Sequence, residues 1–123
     1  MKIEIKICGI SDHNIMSKIS NLNLDYVGLV FFEKSPRNIS IDKAKLIVKY
    51  IGNSTKIVAL TVNPSDNFVR NIINNLSPDY LQLHGEETPY RCFEIKKKFK
   101  TKIIKAISAK SVSYTHLTLP TKW

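Results

Sequence analysis

The chain has 123 residues, of which 43% are hydrophobic, and a formal net charge of +9. This length accommodates at most one ordinary domain, with the composition of a globular core. No apolar run approaches the roughly 20 residues that span a bilayer, and no hydrophobic leader follows Met1, so the sequence predicts a cytoplasmic protein without a membrane partner. The two cysteines, Cys8 and Cys92, lie far apart without metal-ligand spacing, which predicts free thiols and no metal site.

The positive charge comes mostly from lysines that are spread over predicted helix faces. The densest run, Lys96 to Lys98 with Lys100, falls at the end of a predicted helix, where cations suit the helix dipole. No aromatic side chains interleave with this run to stack on bases. We therefore expect no nucleic-acid partner, and a basic nucleic-acid-binding domain is kept only as a less favoured alternative.

The hydrophobic pattern alternates between strands and helices. The predicted strands are Lys2–Cys8, Tyr26–Phe32, Ile57–Val62, Tyr80–Leu83 and Lys102–Ile107. Helices are predicted to begin near Asp12, Ser40, Pro64-Ser65 and Thr88-Pro89. Their core-facing positions are Ile15, Ile19 and Leu22, then Ala44, Ile47, Val48 and Ile51, then Val69, Ile72, Ile73 and Leu76, and last Cys92, Ile95 and Phe99.

This order amounts to four βα units and a fifth strand. No hairpin signal joins any two strands, which favours an α/β fold with a parallel sheet and right-handed crossovers. Two architectures fit the pattern: an open doubly wound sheet, or part of an eight-stranded barrel. A complete barrel needs about 250 residues, or about 200 at minimum, so the chain could form only part of one.

Polar residues follow the predicted strands, and the loops at the carboxyl ends of parallel strands meet at one edge of the sheet. The residues concerned are Cys8, the segment 33–37, Asn63, the segment 82–85 and Ser108. Cys8 could act as a nucleophile or base, or could be a small buried side chain. Arg37 could clamp an anionic group or lie in solvent, and His84 could contact substrate or brace its loop. With four glycines in the chain, no nucleotide-binding loop is present.

Several motifs occur together in a set order. They are Lys6-Ile7-Cys8-Gly9-Ile10, Gly28-Leu29-Val30-Phe31-Phe32 leading to Ser35-Pro36-Arg37, Val58 through Asn63, Leu81-Gln82-Leu83-His84-Gly85-Glu86, and Ile103-Ile104-Lys105-Ala106-Ile107. Each motif alone is weak, but five in order at compatible spacing are specific. Over residues 2 to 108, the chain resembles the phosphoribosylanthranilate isomerases of tryptophan biosynthesis.

The resemblance implies a parallel (β/α)8 TIM barrel, of which residues 1–108 would form the N-terminal half. The implied reaction is the Amadori rearrangement of N-(5'-phosphoribosyl)anthranilate to 1-(2-carboxyphenylamino)-1-deoxyribulose 5-phosphate, an aldose–ketose isomerisation that needs no cofactor or metal. By resemblance, Cys8 is the general base, Arg37 holds the anthranilate carboxylate, and His84 and Gln82 line the substrate site. The implied partner is a small anionic phosphosugar.

The chain also departs from the family pattern. The family's general acid and its glycine-rich phosphate loops belong to later βα units, so we expect the chain as written to be inactive. Residues 109–123 do not resemble the family, and Ser113 to Lys122 read like translated adapter sequence, which predicts a disordered or non-native tail. The alternatives are a non-catalytic half-barrel that self-associates or pairs with a second chain, and another phosphosugar barrel enzyme.

Overall fold

A computed structural model describes residues 6–8, 25–51 and 54–107. In these ranges the chain forms strands β1 Lys6–Cys8, β2 Tyr26–Phe31, β3 Lys56–Thr61, β4 Tyr80–Leu83 and β5 Lys102–Lys105. Three helices connect the later strands: α1 Ile41–Val48, α2 Asp66–Leu76 and α3 Pro89–Phe99. No helix in these ranges is long and apolar enough to cross a membrane.

The strands form one sheet in the order β1-β2-β3-β4-β5, and every neighbouring pair is parallel. The register pairs Cys8 with Gly28 at the end of β1, and Thr61 with Leu83 further along the sheet. Sequential order and parallel direction together require each connection to cross from one end of the sheet to the other. The predicted parallel α/β architecture is confirmed.

Each described helix begins at the hydroxyl residue that the sequence predicts. Ser40, Ser65 and Thr88 have extended backbones, and their side chains accept hydrogen bonds from the N–H groups three residues later at 3.1, 3.2 and 3.1 Å. These caps satisfy N–H groups that have no partner within the helix. Because each cap fixes where a helix starts, it also fixes the length of the preceding strand-end loop.

The observed strand ends differ from the predicted ones by one or two residues. β2 ends at Phe31, because the carbonyl of Phe32 accepts a turn hydrogen bond from Ser35 at 2.9 Å. β3 is shifted by one residue, to Lys56–Thr61, and β5 ends at Lys105. The predicted helix from Asp12 and the predicted tail 109–123 lie outside the described residues.

The core lies between the helices and one face of the sheet. Strand residues alternate between the two faces, and only one alternate set enters the core cluster. That set comprises Val27, Leu29, Phe31, Ile57, Ala59, Leu81 and Leu83. The helices contribute Ala44, Ile47, Val69, Ile72, Leu76 and Ile95, with Val48, Ile51, Ile73, Cys92 and Phe99 packed at the margin. The predicted core faces of these three helices are therefore confirmed.

Candidate active site

An open cleft of about 210 Å³ lies at the carboxyl ends of β2, β3 and β4. Its walls are mostly apolar, with Arg37 and His84 as its charged and titratable groups. The lining residues are Val30, Phe32, Ser35, Arg37, Leu60, Thr61, Val62 and His84. Two of the predicted site residues, which are 47 positions apart in sequence (84 − 37), therefore share one cleft. An apolar cleft with a few convergent polar groups is typical of a small-molecule site.

The loop after β2 returns to its own strand and so brings Arg37 to the cleft. The N–H of Asn38 donates to the carbonyl of Ser35 at 3.1 Å, and the N–H of Ile39 donates to the carbonyl of Val30 at 3.0 Å. The Ser35 hydroxyl accepts a hydrogen bond from the N–H of Arg37 at 3.1 Å. With its backbone held in this way, Arg37 presents a planar guanidinium that can hold a carboxylate by two parallel hydrogen bonds.

His84 follows β4 and contacts the third described site residue. Its N–H donates to the carbonyl of Thr61 at 2.8 Å, which keeps the backbone in line with the sheet. The Gln82 amide nitrogen lies 2.6 Å from His84 Nε2. When the amide donates to this nitrogen, the ring carries its proton on Nδ1. Gln82 does not line the cleft itself; it is a mostly buried residue that holds the His84 ring.

Cys8 ends β1 and pairs with Gly28 of β2 at the backbone level. The orientation of its side chain, and with it the choice between base and buried thiol, lies outside the described residues, as does the predicted strand-end residue Ser108. The other cysteine, Cys92, is a free thiol on α3 that packs against the core. Burial, together with the charge of Glu87, raises the pKa of the Cys92 thiol against the opposing effect of Lys105.

A second cavity, of about 510 Å³, lies beside the cleft and shares His84 with it. The other lining residues are Gly85, Glu86, Glu87, Lys105, Ala106 and Ile107. In its wall, Lys105 Nζ lies 2.7 Å from Glu87 Oε1, and the side chains are 12% and 1% exposed. Burial opposes ionisation of Glu87, but hydrogen bonds from Lys105 and from the N–H of Asn63 hold the pKa of its carboxyl below the usual range.

The sequence did not predict this ion pair, and the structure places Asn63 outside the cleft. Asn63, one of the polar residues predicted to follow the strands, does not line the cleft and instead contacts the loop after β4. A glutamate directly before the Thr88 cap and a lysine in an apolar strand were the available signals. Among the described residues, no group of three or more His, Cys, Asp or Glu side chains could hold a metal ion.

A parallel βα sheet with an apolar cleft at the carboxyl ends of its strands is the arrangement of barrel enzymes that act on small molecules. A family model described as N-(5'phosphoribosyl)anthranilate (PRA) isomerase matches residues 5–120. The chain belongs to this family, with the N-terminal strands of its TIM-barrel fold.

Curated relatives of this chain are named N-(5'-phosphoribosyl)anthranilate isomerase. The N-(5'-phosphoribosyl)anthranilate isomerase of Parvibaculum lavamentivorans is 40% identical over 107 residues, which cover 87% of this chain and 50% of the relative. That of Rhizobium meliloti is 39% identical over 113 residues, which cover 92% of this chain and 53% of the relative. The chain thus spans about half the length of the curated relatives that it matches.

Solved structures of phosphoribosyl anthranilate isomerases are also similar to this chain. The phosphoribosyl anthranilate isomerase of Thermotoga maritima superposes with a TM-score of 0.77 at 28% identity, covering 92% of this chain and 58% of that chain. A second phosphoribosyl anthranilate isomerase structure superposes with a TM-score of 0.76 at 30% identity, covering 89% of this chain and 57% of that chain. It is a complex with reduced 1-(o-carboxyphenylamino)-1-deoxyribulose 5-phosphate. The similarity to barrels over half their length confirms that the sheet is part of a barrel and not an open doubly wound sheet.

Proposed function

We propose that this chain supplies the first half of an N-(5'-phosphoribosyl)anthranilate isomerase site, acting in tryptophan biosynthesis in the cytoplasm. The observation that carries the proposal is the shared cleft of Arg37 and His84. The ligand of the related solved complex carries a carboxylate and a phosphate. A guanidinium at the edge of an apolar cleft suits an aromatic carboxylate, because the ring contacts the apolar walls while the charges pair.

The proposed reaction is an internal proton transfer that needs no cofactor. A general acid protonates the ribose ring oxygen, the C–O bond at the anomeric carbon breaks, and the nitrogen lone pair forms a protonated Schiff base. Cys8, as thiolate, then removes the proton from the adjacent carbon, and the C–H electrons move to the iminium to give the enolamine. Tautomerisation yields the aminoketone. Arg37 positions the anthranilate carboxylate, and His84, held by Gln82, lines the site.

The 123 residues alone are proposed to be inactive, because the resemblance places the general acid and the phosphate loops in later βα units. Loss of the phosphate contacts would also remove the binding energy of a remote part of the substrate. In the same proposal, the half-barrel associates through the sheet face that the helices leave uncovered. Of the alternate strand residues on that face, Val30, Leu60 and Ile104 are only partly buried, whereas Val58 and Gln82 are buried.

The test joins residues 1–108 to the matching C-terminal half of the Parvibaculum lavamentivorans relative and follows the loss of substrate fluorescence. We expect turnover by the joined protein and none by the 123-residue chain. Replacing Cys8 with alanine should abolish the turnover, since the proton would have no acceptor. A correctly folded joined protein without activity would overturn the proposal.

Arg37→Ala in the joined protein should lower kcat/KM by roughly tenfold to a hundredfold, the effect of losing hydrogen bonds between charged groups. Lys34→Ala is the matched control, because Lys34 is an exposed cation on the same loop that does not line the cleft. Its kcat/KM should stay within about twofold of the unmodified protein, as is usual for surface substitutions. Equal losses in the two variants would assign the effect to loop charge and not to a carboxylate clamp.

A further inference from the structure

The carboxyl ends of β3, β4 and β5 are joined by one buried ion pair. Lys105, the last residue of β5, donates to Glu87 Oε1 at 2.7 Å and to the carbonyl of Gly85 at 2.6 Å. The other carboxylate oxygen of Glu87 accepts the N–H of Asn63 at 2.7 Å, just beyond β3. Three neighbouring strand ends therefore meet at a single carboxylate.

The loop after β4 fits this arrangement closely. The Asn63 side chain accepts the N–H of Glu86 at 3.0 Å, and Asn63 itself has a left-handed backbone with a φ of 44°. A Cβ atom at Gly85 would lie 2.7 Å from Asn63 Oδ1, closer than real Cβ contacts allow. A side chain at position 85 would displace the Asn63 side chain and with it the hydrogen bond from Glu86, so glycine suits this close approach. The backbone of the loop is thus held from two sides.

Residues 85–87, which these hydrogen bonds restrain, come directly after the predicted site residue His84. The N–H of His84 donates to the carbonyl of Thr61, and His84 lines both cavities, one with Arg37 and one with Glu86, Glu87 and Lys105. The chain can move at His84 only if the contacts on both sides of it yield. Thr61 fixes its N-terminal side, and the Glu87–Lys105 pair fixes its C-terminal side through Gly85.

We propose that Glu87 and Lys105 are positioning residues, which hold the loop after β4 and thereby set where the His84 ring stands at the cleft. Neither residue needs to touch the substrate. The loop restraint follows from the contacts above, while its importance for catalysis rests on the proposed isomerase function. A buried carboxylate that accepts two hydrogen bonds, one of them from its ion-pair partner, is suited to this role, because each partner raises the cost of opening the loop.

The experiment measures amide hydrogen exchange and histidine C2–H exchange by mass spectrometry in the 123-residue chain. Glu87→Gln and Lys105→Met should each speed amide exchange in residues 84–88 by about tenfold to a hundredfold, the factor for losing one charge-assisted hydrogen bond. The C2–H exchange rate of His84 should change in the same variants. Lys105→Arg keeps the charge and the donors, so it should restore much of the protection lost in Lys105→Met.

The control is Lys98→Met, which breaks an ion pair of similar length, 2.6 Å to Asp66, between more exposed side chains. It should leave residues 84–88 and His84 unchanged. Unchanged exchange in Glu87→Gln would overturn the proposal. So would a rise of equal size in the helix Asp66–Leu76, since the pair would then support the whole fold and not the loop. Activity plays no part in these readouts, so failure of the isomerase proposal would appear separately, in the turnover assay.

Discussion

The thiol of Cys92 illustrates how position in the fold sets the reactivity of a side chain. Cys92 lies on the side of α3 that packs against the core, next to the fully buried Ile95 in the same cluster. Burial disfavours the thiolate and raises the pKa of Cys92 above the ordinary value of 9.0. Because the thiolate is the nucleophile, a raised pKa lowers reactivity at neutral pH.

We expect Cys92 in a Cys8→Ala variant to react with iodoacetamide at pH 8 about tenfold or more slowly than a cysteine peptide, since both thiolate fraction and access fall. The midpoint of the rate against pH should lie above 9.0. In urea the two rates should converge, which serves as the control. A folded chain that reacts as fast as the peptide would show that Cys92 is not held against the core.

At the scale of elements, the loop between β4 and α3 depends on the ionisation of Glu87. Hydrogen bonds from Lys105 and Asn63 outweigh burial and hold the pKa of Glu87 below the ordinary value of 4.5. A carboxyl whose pKa is lower in the folded state stabilises that state fully above the unfolded pKa. Its contribution is lost as the pH falls through the folded pKa.

The protection of residues 84–88 should therefore depend on pH in the unmodified chain and much less in Glu87→Gln. At pH 7 the two should differ by about 1.5–3 kcal/mol of local opening free energy, the range for a hydrogen bond to a charged group. The difference should begin to shrink below pH 4.5 and approach zero at lower pH. Amide exchange corrected for its intrinsic rate measures both values. A difference that persists unchanged at low pH would contradict the role of the ionised carboxylate.

Lys105→Met should also lower the opening free energy of residues 84–88 at pH 7, by about 1.5–3 kcal/mol, because it removes the charged hydrogen-bond donor of the buried Glu87 carboxylate. Lys98→Met, at the more exposed pair with Asp66, should cause a much smaller loss of opening free energy around its own pair, because solvent screens exposed ion pairs. If the two variants lose similar amounts of opening free energy, burial does not strengthen the Glu87–Lys105 pair.

Local signals made most of the elements predictable from sequence. A hydroxyl residue before a helical pattern determines a helix start by itself, so Ser40, Ser65 and Thr88 were identified correctly. The ends of strands were less certain, because Phe32 continues an apolar run while its carbonyl already belongs to a turn. Hydrophobicity records burial but not the backbone hydrogen bonds that end a strand.

The candidate site was predictable to the extent that topology determines it. Parallel strands bring their carboxyl ends together, which is sufficient to expect Arg37 and His84 at one edge. The Glu87–Lys105 pair was not predictable, since its members are 18 positions apart and each has the local appearance of a surface charge. Their pairing depends on the distance between a loop and the next strand end, which periodicity does not encode.

At the scale of the whole molecule, the described helices cover one face of the sheet and leave the other without a helical layer. The residues of this second face include Val30, Val58, Leu60, Gln82 and Ile104, and none of them belongs to the core cluster. A sheet that is apolar on both faces gains free energy by covering the second one. In a complete barrel the remaining strands and the opposite wall provide this cover.

We therefore expect the 123-residue chain to self-associate in sedimentation velocity, and the protein joined to a relative's C-terminal half to sediment as a smaller, single species. Ile104→Glu should reduce the association, because it places a charge on the second face. Leu46→Glu is the matched control, since Leu46 is 53% exposed on the outer side of α1. If Leu46→Glu disperses the chain and Ile104→Glu does not, association occurs through the helices and the second face is not responsible. A monodisperse monomer of the unmodified chain that unfolds cooperatively would contradict the expectation altogether, because the second face would then be stable in water without cover.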